Sequence, residues 1–189
     1  MHRAAVAASF AAALSTTALA APESYTVDPA HTYPGFEINH LGFSNMRGTF
    51  DSTRGRIVLD RTAGTGSIEI VIDTASIDTG HAKRDEHLRA EDFFNVAVFP
   101  AMSYKSTRLT FEGDRLAGVD GELTLLGKTL PVSLTITNFN CGQNPINKKH
   151  VCGANAVTTL KRSQFGMTAY LPGIGDEVRI TIGIEAVRD

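Results

Sequence analysis

The alternation of apolar and polar residues constrains the fold of this chain more than any other feature. From Tyr25 onward, an apolar residue occupies every second position in five segments, namely GFEINH, SIEIVID, AMSYKS, PVSLTITNF and EVRITIGIEA. A period of two places the apolar side chains on one face of a strand and the polar side chains on the other. This pattern is typical of an antiparallel sheet with one buried face and one solvated face.

Turn signals separate these segments and indicate the number of strands. They occur at residues 62–66, 112–114 and 126–129, and between Cys141 and Cys152. Together with RGRIVLD, LAGVDGELTLL and the segment after Cys152, the pattern predicts about eight strands in one domain, residues 21–189. Because an open sheet of this size would expose two edges, we expect a mainly β fold, a single antiparallel barrel of about eight strands. Such a barrel is either filled by side chains or holds one slender ligand, and the alternation leaves both cases open.

The first twenty residues, MHRAAVAASFAAALSTTALA, have the features of an export signal. A short basic start, His2 and Arg3, precedes an alanine-rich apolar stretch, and Ala18-Leu19-Ala20 supplies the small residues of a cleavage site. The apolar stretch is too short for a membrane span, which needs about 20 strongly apolar residues. We therefore predict a signal peptide over residues 1–20 and a periplasmic mature domain without an integral membrane segment.

The two cysteines fit an exported protein. Cys141 and Cys152 flank a segment rich in Gly, Asn and Pro, with ten residues between them. This spacing matches neither a C-x-x-C redox motif nor a haem attachment site, and cysteines in an oxidising compartment usually pair. We predict a disulfide that stabilises the fold by roughly 3 kcal/mol.

The densest group of charged and imidazole side chains lies in TGHAKRDEHLRAEDFFNVAVFP, residues 79–100. Thr79 is predicted to cap a short helix, Asp85 and Arg89 to pair on its exposed face, and two phenylalanines to anchor its end. A second helical turn is predicted near Arg162–Phe165. Two roles stay open for the first helix: it covers one mouth of the barrel, or it also contacts a polar ligand head group through Arg84, His87 or Arg89.

The sequence offers little sign of catalysis, metal binding or cofactor binding. It contains no G-x-S-x-G motif and no glycine-rich phosphate loop with a Lys-Ser/Thr end. His81 and His87 are six residues apart, roughly 240° around a helix, so they do not converge on a metal. We predict no catalytic residue, no metal and no cofactor, and the net charge of -2 disfavours nucleic acid. An enzyme acting on a lipid or isoprenoid through Asp85 and His87, with Arg84, remains the alternative.

Four segments taken together resemble the bacterial YceI-like family. They are YTVDPAHTYPGFEINHLGFSNMRGTFDSTRGRIVLD, IDTGHAKRDEHLRAEDFFNVAVFPAMSYKST, VDGELTLLGKTLPVSL and LKRSQFGM. The resemblance implies a lipocalin-like barrel with a helical cap that binds a polyisoprenoid or similar amphiphile, usually in the periplasm. Two features depart from the family pattern: the position of the lysine in LLGKTLPV, and the cysteine loop.

From this resemblance and the inward strand faces we predict non-catalytic binding, storage or transport of a long isoprenoid or amphiphilic lipid. A homodimer, and delivery of a quinone-like molecule to a membrane redox partner, stay open. The residues predicted to contact the ligand lie on the apolar strand faces and around the capping helix: Phe36, Ile38, His40, Phe43, Ile70, Ile72, Arg84, His87, Phe93, Phe94, Met102, Tyr104, Leu123, Leu134, Ile136, Phe165, Ile180 and Ile182.

Overall fold

The structure is a computed structural model that describes residues 21–189. The predicted signal peptide, residues 1–20, therefore lies outside the described residues. The described part is mainly β, with one α-helix, α1 (Ala82–Arg89), and short 3-10 helices at Pro29–His31, Thr74–Ser76 and Arg162–Phe165. Its strands are β1 (Glu23–Val27), β2 (Tyr33–His40), β3 (Ser44–Phe50), β4 (Thr53–Asp60), β5 (Thr65–Asp73), β6 (Ile77–Asp78), β7 (Ala101–Glu112), β8 (Arg115–Leu125), β9 (Lys128–Gln143), β10 (His150–Lys161) and β11 (Ile174–Arg188).

Eight strands close into an antiparallel barrel, which confirms the predicted fold. The hydrogen-bonded order is β1-β4-β5-β7-β8-β9-β10-β11, and β11 returns to β1. Since β10 occupies one edge of β11, β2 shares the other edge with β1, and β3 and β6 continue the wall beyond β2. Closure leaves the barrel proper without a free edge.

The two ends of the barrel differ. The cap end carries α1, the β2–β3 turn at residues 41–43 and the loop at residues 166–173. A hydrogen bond from Leu41 N to Gly173 O, 2.8 Å long, joins this turn to this loop. The closed end carries the β9–β10 turn and a packed cluster that contains Tyr25, Leu59, Cys152 and Ala186. Tyr25 is fully buried there, so this end has an apolar floor.

The disulfide is present and confirms the predicted pair. Cys141 and Cys152 are directly opposite in β9 and β10, with their Cα atoms 4.0 Å apart. The bridge therefore fastens one hairpin near the closed end.

Strand alternation places the apolar faces inside the barrel, but bulges interrupt it. In β9 the register shifts between the pairs Asn155–Asn138 and Ala156–Ile136, which adds one residue to that strand. As a result Ile136 and Phe139, three positions apart, both face the interior.

The start of α1 differs from the prediction. His81, not Thr79, is the N-cap, and its Nδ1 accepts from Arg84 N at 3.3 Å. Gly80 has φ 73, a left-handed conformation that a right-handed helix cannot contain, so the helix begins after it. The segment's last turn is anchored as predicted, since the ring of Phe94 packs edge-on against Phe50 with centroids 5.3 Å apart.

Candidate functional site

A cavity of about 680 Å³ lies inside the barrel. Its wall is built from inward Ile, Leu, Val, Phe and Met side chains of nearly every strand. Inward residues such as Ile70, Leu134 and Ile182 are partly accessible, because one side of each side chain borders open space while the other side packs against a core cluster. The interior is therefore a cavity and not a filled core, which decides the question that the sequence left open.

Most of the residues predicted to contact a ligand line this cavity. They are Phe36, Ile38, His40, Ile70, Ile72, Arg84, His87, Phe93, Phe94, Met102, Tyr104, Leu123, Leu134, Ile136, Ile180 and Ile182. Their position on the wall is a structural fact, whereas their contact with a ligand stays a prediction.

Phe43 and Phe165, which were also predicted to contact a ligand, do not line the cavity. Phe43 lies in the β2–β3 turn and is 88% exposed, because strand alternation has no meaning beyond the last paired residue. Phe165 is 2% exposed and packs with Phe50, Ile77 and Met102 in the core under the cap. The Phe43 side chain therefore points to solvent, and the Phe165 side chain is buried against its core neighbours.

Several wall residues were missed by sequence reasoning. Ile57 and Leu59 come from RGRIVLD, where the alternation already carried a usable signal. Arg162, Tyr170 and Leu171 come from a segment without regular alternation, so they had no comparable signal and only the fold brings them to the cavity.

Helix α1 is tied to the neighbouring wall by its arginines. Arg84 donates from Nε to Thr79 Oγ1 and from a terminal nitrogen to Thr79 O, both at 2.7 Å. Arg89 donates to Ala75 O at 2.7 Å and to Ile77 O at 2.8 Å. Arg89 therefore serves to hold the cap, whereas Arg84 both holds the cap and reaches the cavity wall.

Asp85 does not form the predicted pair with Arg89. Its carboxylate is buried and accepts from the backbone N–H of Thr79 at 2.9 Å and from the Thr79 hydroxyl. Burial alone would raise the pKa of Asp85, but the Thr79 hydrogen bonds, with Arg89 and Arg84 nearby, hold it below its usual value. Within the described chain no hydrogen bond joins Asp85 to His87, whose ring packs against Phe93 and Tyr170.

Three rings form a cluster at the cap end. The His87 ring lies edge-on to Phe93 and Tyr170, with centroids 5.1 Å and 5.9 Å away, and Phe93 stacks on Tyr170 at 6.0 Å. Phe93 is buried, while Tyr170 is 57% exposed. The cluster thus joins the helix to the loop at residues 166–173 and forms part of the cavity mouth.

A buried arginine shapes the same end. Arg162 is 2% exposed and donates to the carbonyl oxygens of Met167, Ala169, Ile174 and Gly175 at 2.8–3.0 Å. Burial lowers the pKa of Arg162 and Asp176 opposes this effect, yet a guanidinium stays charged. Arg162 therefore organises the loop and places a positive charge beside the cavity.

Tyr104 lines the middle of the cavity with its hydroxyl already engaged. The hydroxyl lies 2.9 Å from Val132 O and 3.2 Å from Val119 O. The ring fits because Gly121 has no side chain, since a Cβ there would be 2.5 Å from Tyr104 Cζ. Burial, reinforced by Asp120, raises the pKa of Tyr104 well above its usual value, so this residue offers an apolar ring to the cavity.

Across residues 21–189, no three His, Cys, Asp or Glu side chains are grouped as metal ligands would be. Likewise, none of the helices in the described part is long and apolar enough to cross a bilayer.

These features define a class of protein: a closed eight-stranded antiparallel barrel with a helical cap and a long apolar cavity. The sequence profile of the YceI-like domain matches residues 25–186. The YceI protein of Salmonella agona is 37% identical over 182 residues, which cover 95% of this chain and 94% of that protein. The chain belongs to the YceI-like family.

Solved structures share the fold. BcnA from Burkholderia cenocepacia superposes with a TM-score of 0.72 at 24% identity, covering 84% of this chain and 98% of BcnA. A polyisoprenoid-binding domain from Saccharophagus degradans, implicated in plant cell wall breakdown, has a TM-score of 0.64 at 16% identity and covers 88% of this chain and 99% of that domain. At these identities the likeness concerns the fold.

Proposed function

We propose that this protein binds a long polyisoprenoid or a similar amphiphilic lipid inside the barrel, and stores or carries it without chemical conversion. The observation that carries this proposal is the cavity, whose wall is apolar along most of its length. Burying one methylene contributes about 0.8 kcal/mol, so a tail of ten carbons would gain roughly 8 kcal/mol before ordering costs. No hydrogen bond to the tail is required for binding.

The two ends of the cavity differ in polarity, and this difference orients the ligand. Arg84, His87 and Arg162 lie at the cap end of the wall, and within the described residues neither arginine forms an ion pair with an acidic side chain. The opposite end is floored by the apolar cluster around Tyr25 and Leu59. The lipid therefore lies with its polar or anionic head at the cap end and its tail toward the floor.

Two observations support a periplasmic site of action. The Cys141–Cys152 bridge is stable in an oxidising compartment and uncommon in a reducing one. The predicted signal peptide over residues 1–20 would direct the chain to such a compartment.

Membership in the YceI-like family, and a shared fold with a polyisoprenoid-binding domain, agree with a lipid ligand.

The test is the chemical identity of the natural ligand. Protein is purified without detergent from the periplasm of its own host, extracted with organic solvent and analysed by mass spectrometry. We expect a long-chain lipid in a one-to-one ratio with the protein. Stripped protein should also take up polyprenyl alcohols added from solvent. The proposal fails if repeated preparations contain no lipid and the stripped protein takes up none.

A further inference from the structure

The strongest unassigned feature is an exposed apolar patch beside the cavity mouth. Six large apolar side chains are exposed among the described residues, and three lie together at the cap end. These are Leu41, Phe43 and Tyr170, exposed by 54%, 88% and 57%. We call this set the rim patch.

The rim patch is continuous with the cavity. Leu41 and Tyr170 are exposed to solvent and also line the cavity wall, so apolar surface runs from outside the molecule to its interior. Phe43 projects farther out from the same turn. A lipid tail that left the cavity here would pass along apolar side chains.

The patch is held in a defined shape. Leu41 and Gly42 have φ 55 and φ 75, a left-handed pair that turns the chain sharply and points Phe43 outward. Three hydrogen bonds fix this turn: Leu41 N to Gly173 O at 2.8 Å, Gly42 N to Asn39 Oδ1 at 2.9 Å, and Phe43 N to His40 O at 3.0 Å. The bond to Gly173 also couples the turn to the loop that carries Tyr170.

The size of the patch selects its partner. Three side chains at these exposures offer roughly 400 Å² of surface, whereas a stable protein interface needs about 800 Å² from each partner. A small apolar tip is sufficient for shallow, reversible attachment to a bilayer, where aromatic side chains prefer the interfacial zone. Arg84 and His87 at the same mouth would then lie near lipid head groups.

We propose that the rim patch docks the barrel mouth onto a lipid bilayer, so that the cargo passes between membrane and cavity without crossing water. This inference rests on the proposed lipid-binding function. The physical reason is that exposing each methylene of a long tail to water costs about 0.8 kcal/mol of free energy, so transfer through water is slow. Docking mouth-first removes that step.

The test compares two equally exposed residues at opposite ends. Phe43→Ser removes the tip of the patch, and Ile146→Ser is its matched control, since Ile146 is 90% exposed in the β9–β10 turn at the closed end. Flotation with vesicles of phosphatidylcholine and phosphatidylglycerol in equal amounts measures binding. We expect Phe43→Ser to bind about tenfold more weakly, and Ile146→Ser to bind like the unaltered protein.

A second pair of variants reports insertion directly. The chain has no tryptophan, so Phe43→Trp and Ile146→Trp each introduce a single fluorophore. The fluorescence emission maximum of Phe43→Trp should shift to shorter wavelength when vesicles are added, and that of Ile146→Trp should not. Equal flotation of the two serine variants, or no shift for Phe43→Trp, would overturn the proposal, as would a loss of self-association in Phe43→Ser with unchanged flotation.

The transfer rate separates this inference from the proposed function. Polyprenyl alcohol delivered from solvent should load both serine variants equally, whereas delivery from vesicles should be slower for Phe43→Ser. If the unaltered protein takes up no lipid from solvent but floats with vesicles, lipid binding fails while docking stands. If both serine variants load equally well from solvent and equally well from vesicles, the docking inference fails and the lipid-binding function stands.

Discussion

Ala154→Phe should shorten the cavity from its closed end. Ala154 lies in β10, lines the cavity and is the next inward position after Cys152 of the floor cluster. A phenyl ring there would take the space of about four ligand carbons, which at 0.8 kcal/mol each is about 3 kcal/mol, or roughly a 200-fold loss of affinity for a tail that reaches the floor. A shorter tail, which ends before Ala154, should bind as before.

The assay is a titration of stripped protein with polyprenyl alcohols of graded chain length. The matched control is Asn155→Phe, because Asn155 is the exposed, outward-facing neighbour on the same strand and should leave every affinity unchanged. Far-UV circular dichroism and thermal unfolding confirm that both variants fold. If Ala154→Phe folds and still binds the longest alcohol as tightly as the unaltered protein, the tail does not lie in the cavity and the reasoning is refuted.

Three further predictions concern stability. Gly121→Ala should lower the free energy of unfolding by about 1–3 kcal/mol in urea titration, because the new Cβ would lie 2.5 Å from Tyr104 Cζ; an unchanged midpoint would contradict this. Asp85→Ala should lower the free energy of unfolding by about 1.5–3 kcal/mol by leaving the partly buried Thr79 donors unpaired. The folded pKa of Asp85 is lowered, so the difference in unfolding free energy between the unaltered protein and Asp85→Ala should be fully present above about pH 4. It should disappear at lower pH, as the carboxylate becomes protonated. A difference that persists in acid would point to another cause. Reducing the disulfide should lower stability by about 2–3 kcal/mol, measured by thermal unfolding with and without reductant, and equal transitions would show that the bridge is redundant.

The inward strand faces could be predicted because their cause is local. Phe36, Ile38, Ile180 and Ile182 lie on regular strands, where side-chain direction follows position alone, and all line the cavity. Phe43 does not lie on the wall because the strand ends before it, and Phe165 does not because its ring is packed into a neighbouring core.

The cap shows a different limit. Its helix and its phenylalanine anchors were readable from the sequence, but the partners of its charges were not. Asp85 and Arg89 have the spacing of a surface pair, yet each bonds to groups outside the helix, Asp85 to Thr79 and Arg89 to Ala75 O and Ile77 O. Spacing along a helix describes the isolated helix, and the neighbouring wall offered both side chains better partners.

The sequence by itself determined a mainly β chain of about eight strands, its inward apolar faces, a capping helix, a disulfide and the family resemblance. These follow from period, turn chemistry and motif, which are properties of short stretches. Only the tertiary structure decided that the interior is open, that Arg162 and Tyr170 reach the cavity, and that Leu41 and Phe43 form an apolar rim at its mouth. Each of these depends on the distance in space between segments that are far apart in the sequence. Barrel closure sets that distance, and no local sequence pattern encodes it.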